Sequence, residues 1–284
     1  MRIKFYYSVL IFFYGCIIFG QNLPGARQIA LSNSDVALSD DVFSAFNNPA
    51  GLSQFNWREI GIYYSPAPFG VSALANGYGA YHEPIGRGAV TAGFMTYGFE
   101  LYKETKIALS YSYNLKNKFF AGVTAIYHNL KIQNYGNGNS FSFNLGGLAY
   151  ITNHLRMGFV IHNISRATFG KEENQIPMIL NIGASYDLTN NFSFNAAIEK
   201  DIDFTTALHF GAEYSIIKYV TLRIGFSNEP NTLSGGIGIN YSLFQIDYAV
   251  FTHQDLGLTH QAGIIIHFSS FDSRNLAIRK YLNK

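Results

Sequence analysis

The stretch KIALSYSYNL, Lys106–Leu115, puts Ile107, Leu109, Tyr111, Tyr113 and Leu115 on one parity and Lys106, Ala108, Ser110, Ser112 and Asn114 on the other. LSGGIGINYSL, Leu233–Leu243, repeats the pattern, with Leu233, Ile237, Ile239, Tyr241 and Leu243 against Ser234, Gly236, Gly238, Asn240 and Ser242. A helix gathers apolar residues three and four apart. A period of two belongs to a strand with one apolar and one polar face. Val220–Phe226, Phe192–Ile198, Thr206–Ile216 and Phe244–Val250 behave alike.

Composition decides what the apolar face meets. Charged residues are 13% of the chain and hydrophobic residues 48%; the charge is about half a soluble domain's share. A water-exposed surface could not be covered with so little. Beyond the first twenty residues no apolar run reaches the roughly 20 residues of a membrane helix. The chain must therefore span a membrane with strands.

Splitting at turn signals gives about fourteen strands of roughly ten residues, the length a tilted membrane strand needs. They start near Arg58, Gly70, Arg87, Lys106, Phe119, Ser140 and Leu155, then near Ile176, Phe192, Thr205, Tyr219, Thr232, Phe244 and Thr259. Connections such as Pro66–Phe69, Gly98–Thr105, Ala167–Gln175 and Asn228–Asn231 read as long or turn-rich. They take turns with tighter ones such as Leu115–Lys118, Ile217–Lys218 and Leu243–Phe244. Sorting by parity is expected of a barrel with short periplasmic turns and longer outer loops. The fold class is all-β, a transmembrane antiparallel barrel of about 14 strands with a short N-terminal helical hatch.

The ends read separately. Arg2 and Lys4 precede the apolar Phe5–Phe19, and Gly20 before Gln21 marks a cleavage point, so residues 1–20 are a signal peptide. Cleavage removes the one cysteine, Cys16, and balances basic against acidic side chains. Disulfides, thiolate metal sites and nucleic-acid partners are thereby disfavoured. Residues 21–57 form a hatch segment, in which Asp40 or Asp41 caps a short helix that Asn48-Pro49 ends. Residues 58–268 are the barrel. Residues 269–284 form a short basic periplasmic tail, with Asp272 or Ser273 capping a helix that carries Arg274, Arg279 and Lys280.

Polar inward positions, the candidate lumen residues, are Lys106, Arg156, Glu199, Glu213, Arg223 and Asp247; Glu199, Glu213 and Arg223 fall on successive strands, where an ion pair would stiffen the wall. Tyr63, Tyr64, Tyr81, Tyr97, Tyr102, Tyr127, Tyr150, Tyr186 and Tyr219 read as an interfacial girdle. His253, His260 and His267 recur at seven, which sends neighbours to opposite faces and denies them a shared metal. His162 and Ser165 are also at odd spacing, and no Gly-x-Ser-x-Gly elbow occurs, so no catalytic residue is assigned. Neither a metal nor a cofactor is expected.

Gly25-Ala26-Arg27, Asp40-Asp41 and Asn48-Pro49-Ala50-Gly51-Leu52 resemble the FadL-like outer-membrane proteins of Gram-negative bacteria. The closing segment, His253 and then Leu256-Gly257-Leu258-Thr259-His260-Gln261 running to Phe268, resembles the PorV/PorQ branch. That resemblance implies a fourteen-stranded barrel in which Asn48, Pro49, Ala50 and Gly51 help to fold the hatch inward. It also implies a component of type IX secretion that contacts secretion-system or cargo proteins. The alternative it implies is a channel passing a hydrophobic ligand through the barrel and out sideways. Outer-membrane lipid and the barrel assembly machinery are expected partners, the latter reading Gly263, Ile266 and Phe268 on the last strand.

Overall fold

The computed structural model describes residues 23–170, 175–202, 204–271 and 273–283. The leader expected at 1–20, and the cap expected at Asp272, lie outside the described residues. Fourteen strands close into one antiparallel barrel: β1 Glu59–Ser65, β2 Asn76–Ile85, β3 Gly88–Phe99, β4 Tyr102–Leu115, β5 Phe119–Ile132, β6 Gly136–Tyr150 and β7 Leu155–His162 make the first half. The second half is β8 Ile179–Asp187, β9 Phe192–Asp201, β10 Ala207–Ile217, β11 Val220–Asn228, β12 Asn231–Tyr241, β13 Phe244–His253 and β14 Gly257–His267. Each strand pairs with its sequence neighbours, and β14 pairs with β1 from Glu59↔His267 to Tyr64↔Ala262. Two helices flank the barrel sequence, α1 Ala26–Ala30 and α2 Arg274–Leu282. No described helix is long and apolar enough to cross a membrane; the strands do so.

Outward side chains are apolar and exposed, among them Ile62, Leu109, Phe141, Ile224 and Ile264. A water-soluble sheet would bury them; here they meet lipid.

Boundaries depart from the sequence expectation in two ways. The strand expected near Gly70 starts at Asn76, because Pro66, Pro68 and the left-handed Phe69 (φ 57°) and Gly70 (φ 77°) turn 66–75 into short 3-10 turns. Elsewhere the strands run further than expected: β4 begins at Tyr102, β6 at Gly136, and β4, β5 and β6 reach 14, 14 and 15 residues. The connections Gly98–Thr105 and Asn228–Asn231 thus shrink to residues 100–101 and 229–230. Loop parity is carried mainly by 66–75 and 163–178, with 202–206 a shorter third. Polar side chains there suggest loop, although backbone pairing continues through them.

Residues 23–57 pack against the inner wall, which is lined with glycine where they touch it. A Cβ on Gly61 would come within 2.6 Å of Val42, on Gly93 within 2.6 Å of Phe46, and on Gly122 within 2.4 Å of the Pro49 carbonyl carbon. On the opposite wall the same holds for Gly211 against Ser34 (2.4 Å) and Gly225 against Leu31 (2.5 Å). The backbone of the inner segment lies where side chains would otherwise stand. Overpacking of this kind costs about 1–3 kcal/mol per site.

Gly122→Val is therefore expected to lower the thermal unfolding midpoint by several degrees. Gly79→Val is expected to leave it unchanged, since a Cβ there meets nothing nearer than the Gly61 carbonyl oxygen at 3.9 Å. Heat-modifiable mobility on gels measures both.

Candidate functional site

The inner segment is held by charge as well as by shape. Arg27, at the start of α1, pairs with Asp40 and reaches Glu213 on β10 at 2.9 and 3.0 Å. Glu213 faces Arg223 directly across the β10–β11 ladder and accepts from its Nε at 2.6 Å. Arg223 Nη1 continues to Asp247 on β13 at 2.6 Å, and Gln245 Nε2 also donates to Asp247, at 2.6 Å. On the other wall Arg156 donates to Asp187 at 3.1 Å and lies 3.8 Å from Asp40. These groups form a buried belt linking wall and inner segment. Burial opposes the charge on Arg27, but Asp40 and Glu213 outweigh it and hold its pKa above the ordinary arginine value.

Four of the six lumen residues expected from sequence, Arg156, Glu213, Arg223 and Asp247, meet in this belt. Lys106 and Glu199 do not. The register sets Ser193, not Glu199, opposite Glu213, while Glu199 faces Ala207 further up the wall. The expected ion pair along three strands is therefore a pair on two. The sequence does not single out Glu59 and Asp187 as belt members; it marks Arg27 only within the resemblance motif, and Asp40 there and as a candidate helix cap. The recoverable signal was an excess of inward acids on the strands over the inward arginines Arg156 and Arg223, an excess that calls for cations from outside the strands such as Arg27 and Arg274.

Asn48-Pro49-Ala50-Gly51 opens a helical turn instead of ending one: the turn expected to stop at Asn48-Pro49 already stops at Ala45. Asp41 accepts from the Phe43 N–H to open one 3-10 turn, Val42–Ala45, and Asn48 accepts from the Ala50 N–H to open a second, Pro49–Gln54. Pro49 sits first in that turn, where a missing N–H costs nothing. Asn48 Nδ2 also donates to the Val36 and Gly147 carbonyls at 2.8 and 3.3 Å, tying the segment to β6. A Cβ on Gly51 would fall 1.7 Å from the Ser39 carbonyl oxygen, so only glycine fits.

The tail corrects a sequence expectation. It is not merely a short basic helix: α2 lies across the mouth at the short-turn end. Arg274 bonds Glu59 at 2.7 Å, Gln245 at 3.2 Å and the Asp40 carbonyl at 2.8 Å. Ile278 packs fully buried against Phe55 and Trp57. Arg279 reaches Asp187 at 2.8 Å, and Asn117 in the β4–β5 turn donates to the Leu282 carbonyl at 2.9 Å. The signal missed was Trp57, the one tryptophan, which needs an apolar partner. A cavity of about 310 Å³ remains beside α2, lined in part by Arg27, Glu213, Arg223 and Arg274 and in part by Leu38, Ile217 and Leu276.

Above the inner segment the character changes. Tyr63, Tyr78, Tyr97, Met95, Ile126 and Phe251 form one cluster with Phe43 and Phe46 of the segment. The Tyr78 ring meets Phe46 edge-on at 5.1 Å. Loop 66–75 descends from the rim, putting Phe69 5.7 Å from Phe251 with its N–H on Thr259 Oγ1 at 2.8 Å. Tyr63, Tyr97, Tyr102 and Tyr150, read from sequence as interfacial, thus face inward; strand parity, not nearness to a strand end, decides their side. Tyr64, Tyr81, Tyr186 and Tyr219 remain on the exposed face.

Among the described residues the longest interruption of the wall lies between β6 and β7; a shorter one lies between β14 and β1, where residues 257–261 have no β1 partner. β6 pairs with β5 along its whole length, from Ile132↔Gly136 to Phe119↔Ala149. With β7, among the described residues, it pairs only from Leu145↔Ile161 to Tyr150↔Arg156. The upper part of β6, including outward Phe141 and Phe143, is followed instead by loop 163–178. That loop touches β6 through the Ile164 N–H on the Phe143 carbonyl at 2.9 Å and sends Phe169 inward against His128 and Gly138.

The remaining sequence candidates are dispersed. His260 lies on the outer face and bonds the Tyr248 hydroxyl at 2.6 Å, whereas His267 is buried on the inner face. His162 ends β7, and Ser165 Oγ donates to Asn163 at 3.0 Å. On β14, Gly263 faces Tyr63 and Asp247 in register, Ile266 pairs with Ile60, and Phe268 follows the strand, its N–H on the Arg58 carbonyl.

The fold is thus a closed fourteen-stranded antiparallel barrel with lipid-facing side chains and a filled lumen. No family model and no curated relative matches the chain. Among solved structures it is similar to the toluene transporter TbuX of Ralstonia pickettii, at TM-score 0.61 and 15% identity over 87% of this chain and 98% of that one. The monoaromatic hydrocarbon channel CymD is similar at 0.66 and 14%, over 89% and 99%. A FadL homologue of Pseudomonas aeruginosa is similar at 0.60 and 12%, over 87% and 97%. Of these neighbours, TbuX is named as a transporter and CymD as a channel.

Two results are expected from this geometry. Arg274→Ala leaves Glu59 buried without its cation, a loss of about 3–5 kcal/mol by analogy with other buried pairs. It should free α2 to limited proteolysis while the barrel stays folded. The second concerns Asp35 in the inner segment, whose Oδ2 has no hydrogen-bond partner among the described residues. Burial, reinforced by Asp41, pushes its carboxyl up to about 7. An acid raised in the fold holds its proton there, so the Asp35 contribution to stability is greatest below about pH 4 and is lost as pH climbs to about 7. Asp35→Asn should flatten that slope in thermal melts and raise the midpoint at pH 8.

Proposed function

We propose that the protein is a FadL-like channel that admits hydrophobic small molecules at the long-loop end and releases them sideways into the membrane. In this reading residues 23–57 act as a plug, the long-loop end faces outside, and both termini are periplasmic. The observation that carries it is the interrupted β6–β7 ladder, level with lipid-facing Phe141 and Phe143 and adjoining the lumen above the plug. An apolar solute gains nothing by crossing the charge belt, since displacing paired buried ions is costly. A side exit avoids it. The tyrosine-rich floor suits small aromatic hydrocarbons, and the named activities of TbuX and CymD support the same class. This reading ranks above a type IX secretion role, for which two-residue connections at 100–101 and 229–230 offer cargo little to grip.

The test is a staple across the gap. An ideal Cβ on Gly138 lies 3.7 Å from Phe169 Cβ, within disulfide reach, and residues 23–283 contain no other cysteine. Cells producing Gly138→Cys/Phe169→Cys should take up toluene when the bridge is reduced and lose uptake when it is oxidised. Equal uptake in both states would remove the side exit. No uptake by the unmodified protein would remove the channel itself.

A further inference from the structure

β4, β5 and β6 rise beyond the lipid-facing band, and their outward residues form ordered rungs. The lowest, Phe94–Ile107–Tyr127–Phe141, is apolar. The next along the same register is Thr96–Thr105–Asn129–Asn139, and the third is Gly98–Lys103–Lys131–Asn137. The Asn129 amide donates to Asn139 at 2.7 Å, and the Tyr127 hydroxyl donates to the same oxygen at 2.9 Å. Lys103 and Lys131 are exposed and directly opposed across the ladder. Like charges so placed repel and destabilise the pair, and neither lysine makes an ion pair with a described residue. Glu104 faces inward and bonds Tyr102; the acid nearest this surface in sequence is Glu100, in the turn at 100–101.

We propose that this face of β3–β6 docks a phosphorylated glycolipid of the outer leaflet. Acyl chains lie along the aromatic rung, sugar hydroxyls meet the threonine and asparagine rung, and a phosphate sits between the two lysines. The order apolar, hydroxyl and amide, cation matches the order of groups along such a lipid. A phosphate would turn the Lys103–Lys131 repulsion into two charge-assisted contacts. It also accounts for strands that continue past the membrane band. The site rests on the outward orientation of the long-loop end, whereas its assay in detergent reads binding independently of solute passage.

Thermal midpoints of the purified full chain are compared with diphosphorylated lipid A, its dephosphorylated form and inorganic phosphate. The diphosphorylated lipid should raise the midpoint by several degrees and the other two should not. Lys103→Gln/Lys131→Gln should lose the shift while equalling or exceeding the unmodified midpoint without lipid. Lys103→Arg/Lys131→Arg, and Lys118→Gln at the opposite rim, should keep it. An equal shift in the glutamine double variant, its loss in Lys118→Gln or in the arginine pair, or a full shift with inorganic phosphate or dephosphorylated lipid would overturn the site.

Discussion

Arg27 is the point on which the interior depends. Its guanidinium joins Asp40 of its own segment to Glu213 on the wall, and Glu213 passes the contact through Arg223 to Asp247. Arg274 brings α2 into the same network through Glu59 and the Asp40 carbonyl. Each charge is buried, and each has an opposite partner within bonding distance. Ions removed from water stay charged only under that condition. Moving the inner segment or α2 alone would strand charges on the wall, so the two are coupled.

The belt also divides the lumen by chemistry. Below it lie paired ions, a cavity lined by several of them and the closing helix; above it lie Tyr63, Tyr78, Tyr97 and Phe251 over Phe43 and Phe46. An apolar solute finds a favourable surface only in the upper part. There the β6–β7 ladder is incomplete, and Ile164 and Phe169, beyond the end of β7, lie beside the upper part of β6. A sealed floor and an interrupted wall are two consequences of one arrangement.

The barrel was legible because its signal is local. Alternation in Lys106–Leu115 and Leu233–Leu243 fixes which side chains face lipid, and few charges exclude water as the solvent. Strand ends were less legible, since polar Lys103, Thr105 and Asn129 look like loop although their backbones remain paired. The interior was least legible. Arg156, Glu213, Arg223 and Asp247 could be placed inward by parity, but their partners Arg27, Asp40 and Asp187 are set by how the inner segment winds. Gly61, Gly93, Gly122, Gly211 and Gly225 recorded that path in the sequence. An inward glycine reads only as a small residue until the backbone it accommodates is known.

The central claim is that the belt and the segment it holds close the barrel along its axis. Planar-bilayer conductance tests this most directly, comparing the intact chain with a variant lacking residues 26–46. The intact protein should show no conductance steps. The deletion variant should show stable ones, because fourteen strands enclose more space than their own side chains fill. Open-pore steps from the intact protein, or a folded deletion variant that stays silent, would contradict the account.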